Sequence, residues 1–351
     1  MKLIRPSYEI IEQGPGIQGI YEMIERCGKV SYKSVFKGGE FAKRFVEART
    51  KEKHGAVLEF GTVYLKIAGG DPITESRQQG DDPTKTYYES KGENASYMDW
   101  NWTTFFYRRN PYSRVVNVNG VTYITTNYRV LVENNRLDDL KYLCEPTEYH
   151  EKRYTVKFIA DIGVGREFLR HRVMSPTQES TRYCNYTSEK FDGECTFVIP
   201  PWISEEELAV GDNICFWDDD WVDMNRNKIV RYGPAELQAD PIHIWLESLY
   251  SASIHYDMLI SCGWRAEQAR GVLPLATKAE FVLCGFEDAW VHFFRLRSDI
   301  AATGKPHPQS DELATPLRKE FIEKGYITEK DLEHEAFGWF DVAISDTNLK
   351  D

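Results

Sequence analysis

The densest chemistry in the chain lies in residues 166–183, R-E-F-L-R-H-R-V-M-S-P-T-Q-E-S-T-R-Y. Arg166, Arg170, Arg172 and Arg182 stand against Glu167 and Glu179, so this window is locally positive inside a chain with a formal net charge of −12. Guanidinium groups stay charged and donate hydrogen bonds in a fixed plane, which suits carboxylate and phosphate partners. Ser180, Thr181 and Arg182 follow Pro176 in a turn-prone stretch, and hydroxyls, free backbone N–H groups and an arginine together make a phosphate cradle. Two readings stay open from the residues alone: an anion site, or a structural ion-pair cluster.

A second cluster lies nearer the C-terminus. Glu267 and Arg270 sit on a short helical piece ending at Pro274. On a helix from Glu287, Asp288 and His292 are four apart and share a face, with Arg297 further on. A salt-bridge ladder fits this spacing as well as a site does. Gly163-Val164-Gly165 lacks the third glycine of a dinucleotide fingerprint. Asp218-Asp219-Asp220 lacks the glycine and terminal glutamate of a calcium loop and reads as a solvated face, so no metal site is expected.

The elements that must position these clusters follow from periodicity. YEMIERCG and FAKRFVEARTKEK, with Phe41, Phe45 and Val46 at helical spacing, predict two helices, the second ending at His54-Gly55. FGTVYLKI (60–67) reads as a strand, and Asn119-Gly120 before VTYITT predicts a hairpin. Residues 126–142 read as helical and polar-faced. Tyr154, Val156, Phe158 and Ala160 alternate as in a half-buried strand. Gly163 is expected to break it, and a helix from Val164 is expected to run into Arg170-His171-Arg172, placing the two arginines on different sides. Asp240 as N-cap, Pro241 at the first position and Gly263 after the end predict a helix over 241–262. Residues 281–284 are a short apolar run, and Gly285 leads into the helix Glu287–Arg297, whose first turn is acidic as the dipole favours. Residues 68–100 and 204–232 read as insertions.

Composition sets the outer bounds. The 351 residues suffice for one large domain or two ordinary ones. Hydrophobic residues at 42% and charged residues at 28% exclude global disorder. A net charge of −12 disfavours a general nucleic-acid or membrane-surface binder. The seven cysteines form no C-x-x-C pair, so neither a disulfide framework nor a zinc ribbon is indicated. The N-terminus lacks the apolar core of a signal peptide, and no apolar run reaches membrane-spanning length. A cytoplasmic protein is the expectation.

Arg170-His171-Arg172, seven residues, then Ser180 resembles the RHR-x7-S signature of the flavin-dependent thymidylate synthases, the ThyX family. Q-E-S-T-R-Y-C-N-Y (178–186) resembles the form in the phage-like and bacterial branch. So do H-G-A-V-L-E-F-G-T-V-Y-L (54–65), E-P-T-E-Y-H-E-K-R (145–153), Q-A-R-G-V-L-P (268–274) and D-A-W-V-H-F-F-R-L-R (288–297), in family order.

The resemblance implies an α/β fold of the α+β kind: a central mixed or antiparallel sheet flanked by helices, in a single catalytic domain over 1–351 that carries the insertions. It implies reductive methylation of dUMP to dTMP, with methylenetetrahydrofolate as carbon donor, NADPH as reductant and FAD bound, and with no cysteine nucleophile. The alternative is a non-catalytic flavin- or nucleotide-binding relative. A homotetramer with active sites shared between subunits is implied as well. By position, Arg170, His171, Arg172, Gln178 and His292 would contact FAD. Glu167, Arg170, Gln178, Glu179, Ser180, Thr181, Arg182 and Arg270 would hold dUMP, with Ser180, Arg182 and Arg270 at its phosphate. Arg297 would lie on the uracil and stabilise negative charge as N3 ionises. The sequence departs from the family pattern at Ala56 (usually Ser or Thr), Phe60 (often His), Gln178 (often Glu) and Phe286-Glu287-Asp288 (an Asn-x-Arg pair).

Overall fold

The structure, a computed structural model, describes residues 1–68, 103–191, 193–211, 214–217, 220–223, 228–231, 241–301 and 304–333. The chain divides into two compact units. One comprises residues 1–10, 29–34 and 156–351, the other residues 11–28 and 35–155. The sequence led us to expect one domain. The chain passes between the units several times, and one division falls between Thr155 and Val156, inside a strand, where a linker between sequential domains would not lie. The chain opens with strands β1 (Lys2–Ile4) and β2 (Ser7–Ile11).

In the unit of residues 11–28 and 35–155, helices α1 (Gly16–Gly28) and α2 (Gly39–Lys51) form as their apolar spacing predicts. Val46 of α2 is buried, whereas Phe41 is exposed. His54 does not end α2, which is capped at Glu52; it precedes a further short helix, Gly55–Leu58. Strands β3 (Thr62–Ala68), β4 (Arg114–Val118) and β5 (Val121–Asn127) make an antiparallel sheet in the order β3-β5-β4. The β4–β5 turn holds Asn119 at φ 49° and Gly120 at φ 75°. Both central residues are left-handed, which Asn-Gly tolerates and which matches the strand twist. The expected long helix over 126–142 is instead a short helix α3 (Tyr128–Glu133), capped by Asn127 Oδ1 accepting from Val130 N, and a 3-10 turn (Leu137–Tyr142). Asn134-Asn135, with Asn135 at φ 54°, interrupts it. Ile20, Ile24, Leu58, Val63, Leu65 and Ile124 form the core of this unit.

The other unit contains most of strand β6 (Arg153–Asp161), helix α4 (Ile162–Phe168), and strands β7 (Ser175–Gln178) and β8 (Thr196–Val198). Val156, Phe158 and Ala160 alternate into the interior as the strand period requires. The stretch 204–232, expected as an insertion, contains a helix (Glu205–Gly211) and three strands, β9 (Ile214–Trp217), β10 (Asp220–Asp223) and β11 (Lys228–Arg231), paired antiparallel. Asp218 and Asp219 lie outside the described residues, as do Asp240 and nearly all of the insertion expected at 68–100.

Helix α5 (Pro241–Ser261) ends as its glycine predicts. Gly263 sits at φ 89°; its N–H donates to Ile260 O at 2.9 Å and Trp264 N to Leu259 O at 3.0 Å, a Schellman closure. Strand β12 (Lys278–Phe286), longer than the apolar run 281–284, is buried throughout and feeds directly into helix α6 (Glu287–Arg297). Helix α7 (Pro308–Glu323) follows.

The central sheet has the order β2-β6-β12-β7, with β7 antiparallel to β12 at one edge, while β1 and β8 pair in parallel. Against it packs an aromatic core of Phe158, Phe168, Phe281, Trp290, Phe293 and Phe321. The Phe158 and Phe281 rings stack at 5.3 Å, and Phe168 meets Phe293 edge-on at 4.8 Å. Each such ring contributes on the order of 1.5–3 kcal/mol by leaving water. This core ties β6, α4, β12 and α6 together, and the site's residues hang from their ends. The architecture is the mixed helix-and-sheet class expected. No helix among the described residues is long and apolar enough to cross a membrane.

Candidate active site

Helix α4 starts because Asp161 caps it: Asp161 Oδ1 accepts from Val164 N at 2.7 Å. Gly163 therefore lies inside the helix, which begins earlier than the sequence reading placed it. The helix ends at Phe168, with Leu169 as its C-cap. Arg170-His171-Arg172 thus sits in the turns beyond the helix, not on it, and this corrects the expected placement. The side chains are sorted by packing instead. His171 is only 6% exposed, its ring 5.0 Å from Phe293 and 5.8 Å from His292. Arg170 and Arg172 are exposed and make no ion pair among the described residues.

Helix α6 delivers Arg297 to the same place. Its Nε donates to His171 Nε2 at 3.2 Å, one terminal nitrogen donates to Glu167 Oε2 at 2.7 Å, and the other to the Glu167 carbonyl at 3.0 Å. Each guanidinium nitrogen makes one of these bonds, three of its five N–H groups in all, which fixes its plane and leaves two terminal N–H groups for a ligand. Because His171 accepts at Nε2, its proton sits on Nδ1 and the ring is neutral. Burial pushes the imidazole down to about 3, and the charges of Arg297 and His292 add to the effect. Burial lowers Arg297 too, Glu167 opposes that, and Arg170 adds to it. Ser310, fully buried at the start of α7, donates to Glu167 Oε2 at 3.3 Å. No sequence pattern marked Ser310, which lies 143 residues from Glu167.

The second group forms at the end of β7. Pro176 sits within this edge strand, where a missing N–H is tolerated. Gln178 pairs in register with Phe281, and a Cβ on Gly165 would come within 3.2 Å of its amide nitrogen, so β7 brings Gln178 against α4. Beyond it, Ser180 Oγ accepts from Arg182 N at 3.3 Å, and Arg270 donates to Thr181 Oγ1 at 3.0 Å. Arg182 is exposed, its guanidinium 5.3 Å from the Tyr183 ring centre, and makes no ion pair among the described residues.

Glu179, which the resemblance sets on dUMP, is turned inward here. It is 3% exposed, with Oε2 held by Lys278 Nζ at 2.8 Å. Lys278 and Glu280 share one face of β12, two residues apart, and that spacing is the signal the sequence offers for this group.

The structure therefore joins Glu167, His171, Arg297 and, by ring contact, His292. Separately it joins Thr181 with Arg270 beside Ser180 and Arg182. No hydrogen bond or ion pair links the two groups among the described residues. Beside Glu167 opens a cavity of about 360 Å³ lined by Trp202, Trp245, Leu275, Asp161 and His307. Of the positions that depart from the family pattern, Phe60 and Phe286 are buried, Ala56 is exposed, and Asp288 Oδ1 accepts from the adjacent Ala289 N at 2.9 Å.

The family described as "Thymidylate synthase complementing protein" (Thy1) matches residues 147–322, half of the chain. The match takes in both groups of side chains, and the chain belongs to this family. A UMP/dUMP methylase, PolB from Streptomyces cacaoi, solved with 5-Br dUMP, is similar at 13% identity and a TM-score of 0.37, covering 92% of this chain and 93% of that one. Thymidylate Synthase X from Helicobacter pylori, solved with FAD and dUMP, is similar at 17% identity and a TM-score of 0.33, covering 52% of this chain and 74% of that one. No curated protein matches the chain.

Proposed function

We propose that this chain is a flavin-dependent thymidylate synthase, converting dUMP to dTMP with methylenetetrahydrofolate as carbon donor and NADPH as reductant. The single observation that carries the reading is the family match over 147–322, which spans the RHR-x7-S signature and Arg297. The reading takes residues 1–351 as one catalytic domain, working in the cytoplasm as a homotetramer with shared sites.

The donor set fits FAD through its charges. Arg170 and Arg172 expose guanidiniums without a carboxylate partner among the described residues, as a bound pyrophosphate requires. His171, Gln178 and His292 complete the set that would hold FAD, which when bound supplies the hydride chemistry. Ser180, Thr181, Arg182 and Arg270 would hold the phosphate of dUMP, and Glu167, Arg170 and Gln178 the rest of the nucleotide.

Arg297 is the catalytic group. A guanidinium whose plane is already fixed by His171 and Glu167 needs little reorganisation to stabilise the anion left when uracil N3 loses its proton. Neutral His171 serves by accepting from Arg297 and not competing with it for that anion. The seven cysteines have no part in the chemistry.

The test is tritium release from [5-³H]dUMP by the purified protein supplied with FAD, NADPH and methylenetetrahydrofolate. Release that depends on FAD is expected. The substitutions at Ala56, Phe286 and Asp288 favour one other reading, a non-catalytic relative; flavin binding without release would establish it.

A further inference from the structure

Beneath the Ser180–Arg182 loop lies a group of charges that the proposed chemistry does not use, with Glu179, Lys278 and Glu280 buried and Lys33 and Lys157 half-buried. Lys278 Nζ reaches Glu179 Oε2 and Glu280 Oε1, both at 2.8 Å. Lys157 Nζ reaches Glu280 Oε2 at 2.8 Å, and Lys33 Nζ is paired with Glu280 Oε1. Burial works against charge on Glu280, but Lys278, Lys157 and Lys33 hold its carboxyl far below the usual range. Burial likewise opposes the Lys278 ammonium, and Glu179 and Glu280 outweigh it and raise that group. Three ammoniums against two carboxylates leave one positive charge in excess.

The loop's backbone is tied at the same place. Glu179 N donates to Glu280 O at 2.7 Å, Ser180 N donates to Ser31 O at 3.1 Å, and the Ser31 and Thr177 hydroxyls pair at 2.8 Å. The side-chain tie differs in kind, because a single carboxylate oxygen carries it. Glu179 Oε1 is buried with no hydrogen-bond partner among the described residues. A carboxylate this close to a bound phosphate would repel it if it faced outward. Drawn inward onto Lys278, it is neutralised, and Ser180 and Arg182 keep the outward side.

We propose that the Glu179–Lys278 pair holds the Ser180–Arg182 loop in its phosphate-binding form, making both residues positioning residues for the anion and not ligands to it. This inference rests on the dUMP reading above. It differs from the resemblance, which puts Glu179 on the substrate.

The test uses the full-length, FAD-loaded protein and two ligands, dUMP and deoxyuridine, which lacks the phosphate. Glu179→Gln leaves the shape and removes the charge. The double variant Glu179→Leu/Lys278→Leu removes both charges, a change that buried pairs often tolerate in stability, and it serves if the single variant fails to fold. Both variants are expected to bind dUMP at least about tenfold more weakly by calorimetry while deoxyuridine binding changes less than about twofold. KM for dUMP should rise accordingly, with kcat falling less. Lys278→Arg, which keeps the positive charge against Glu179, should retain most of the dUMP affinity. Folded variants that bind dUMP like the wild type, or that lose both ligands equally, would overturn the inference. A wild-type protein that binds no dUMP would instead overturn the functional reading beneath it.

Discussion

Acidification should destabilise this protein through one identifiable ring. His171 is buried, accepts from Arg297 through Nε2, and has its pKa pushed to about 3, against 6.5 for the free side chain. Protonation would remove that acceptor and set an imidazolium against a guanidinium. The unfolded chain takes up this proton near pH 6.5 and the folded chain does not until about pH 3. The unfolded state thus binds more protons throughout that window, and stability falls as pH drops below 6.5. Between pH 7 and pH 5 the loss from this ring is about 2 kcal/mol, and a folded value one unit higher would not change that figure at pH 5. Other groups titrate too, so the comparison is with His171→Asn, which keeps an acceptor for Arg297 and cannot ionise. Urea unfolding of both proteins at pH 7 and pH 5 measures it. The wild type should lose about 2 kcal/mol more than the variant across that step. Equal losses would refute the buried neutral histidine.

Other substitutions probe the two groups of side chains separately. Arg297→Ala should lower kcat by about 100-fold or more while leaving FAD absorbance in the purified protein, since its proposed role is on the developing anion; near-normal turnover would remove it from the chemistry. Ser180→Ala should weaken dUMP binding by about 1.5–3 kcal/mol, the worth of a hydrogen bond to a charged group; lost turnover with unchanged dUMP affinity would point to a nucleophilic serine. Asp161→Ala removes the cap on α4 and should cost about 1–2 kcal/mol in urea unfolding; an unchanged midpoint would mean the cap does not set the helix start.

Local signals carried much of the fold. Asn119-Gly120 specified its hairpin because few other residues adopt two successive left-handed conformations cheaply. Gly263 and the acidic first turn of Glu287–Arg297 marked helix ends through backbone chemistry that needs no distant partner. Arg170-His171-Arg172 was misplaced for the opposite reason. No glycine or proline stops the pattern until Pro176, and what ends α4 at Phe168 and buries His171 is packing against Phe293, 122 residues away in sequence. Asp161 was legible as a cap but hidden by the glycine that follows at 163. The pairing of Glu179 with Lys278 spans 99 residues and could be read from neither residue alone. The candidate residues could thus be listed from the sequence, whereas the partners that orient them belong to the tertiary structure.

The central claim is thymidylate synthesis that depends on a bound flavin. The most direct measurement is mass-resolved detection of dTMP from dUMP, methylenetetrahydrofolate and NADPH, using the purified protein before and after removal of FAD. The account predicts dTMP from the FAD-loaded protein, loss of it on stripping, and recovery on adding FAD back. Formation of dTMP that is indifferent to FAD, or none from a protein that binds both FAD and dUMP, would contradict it.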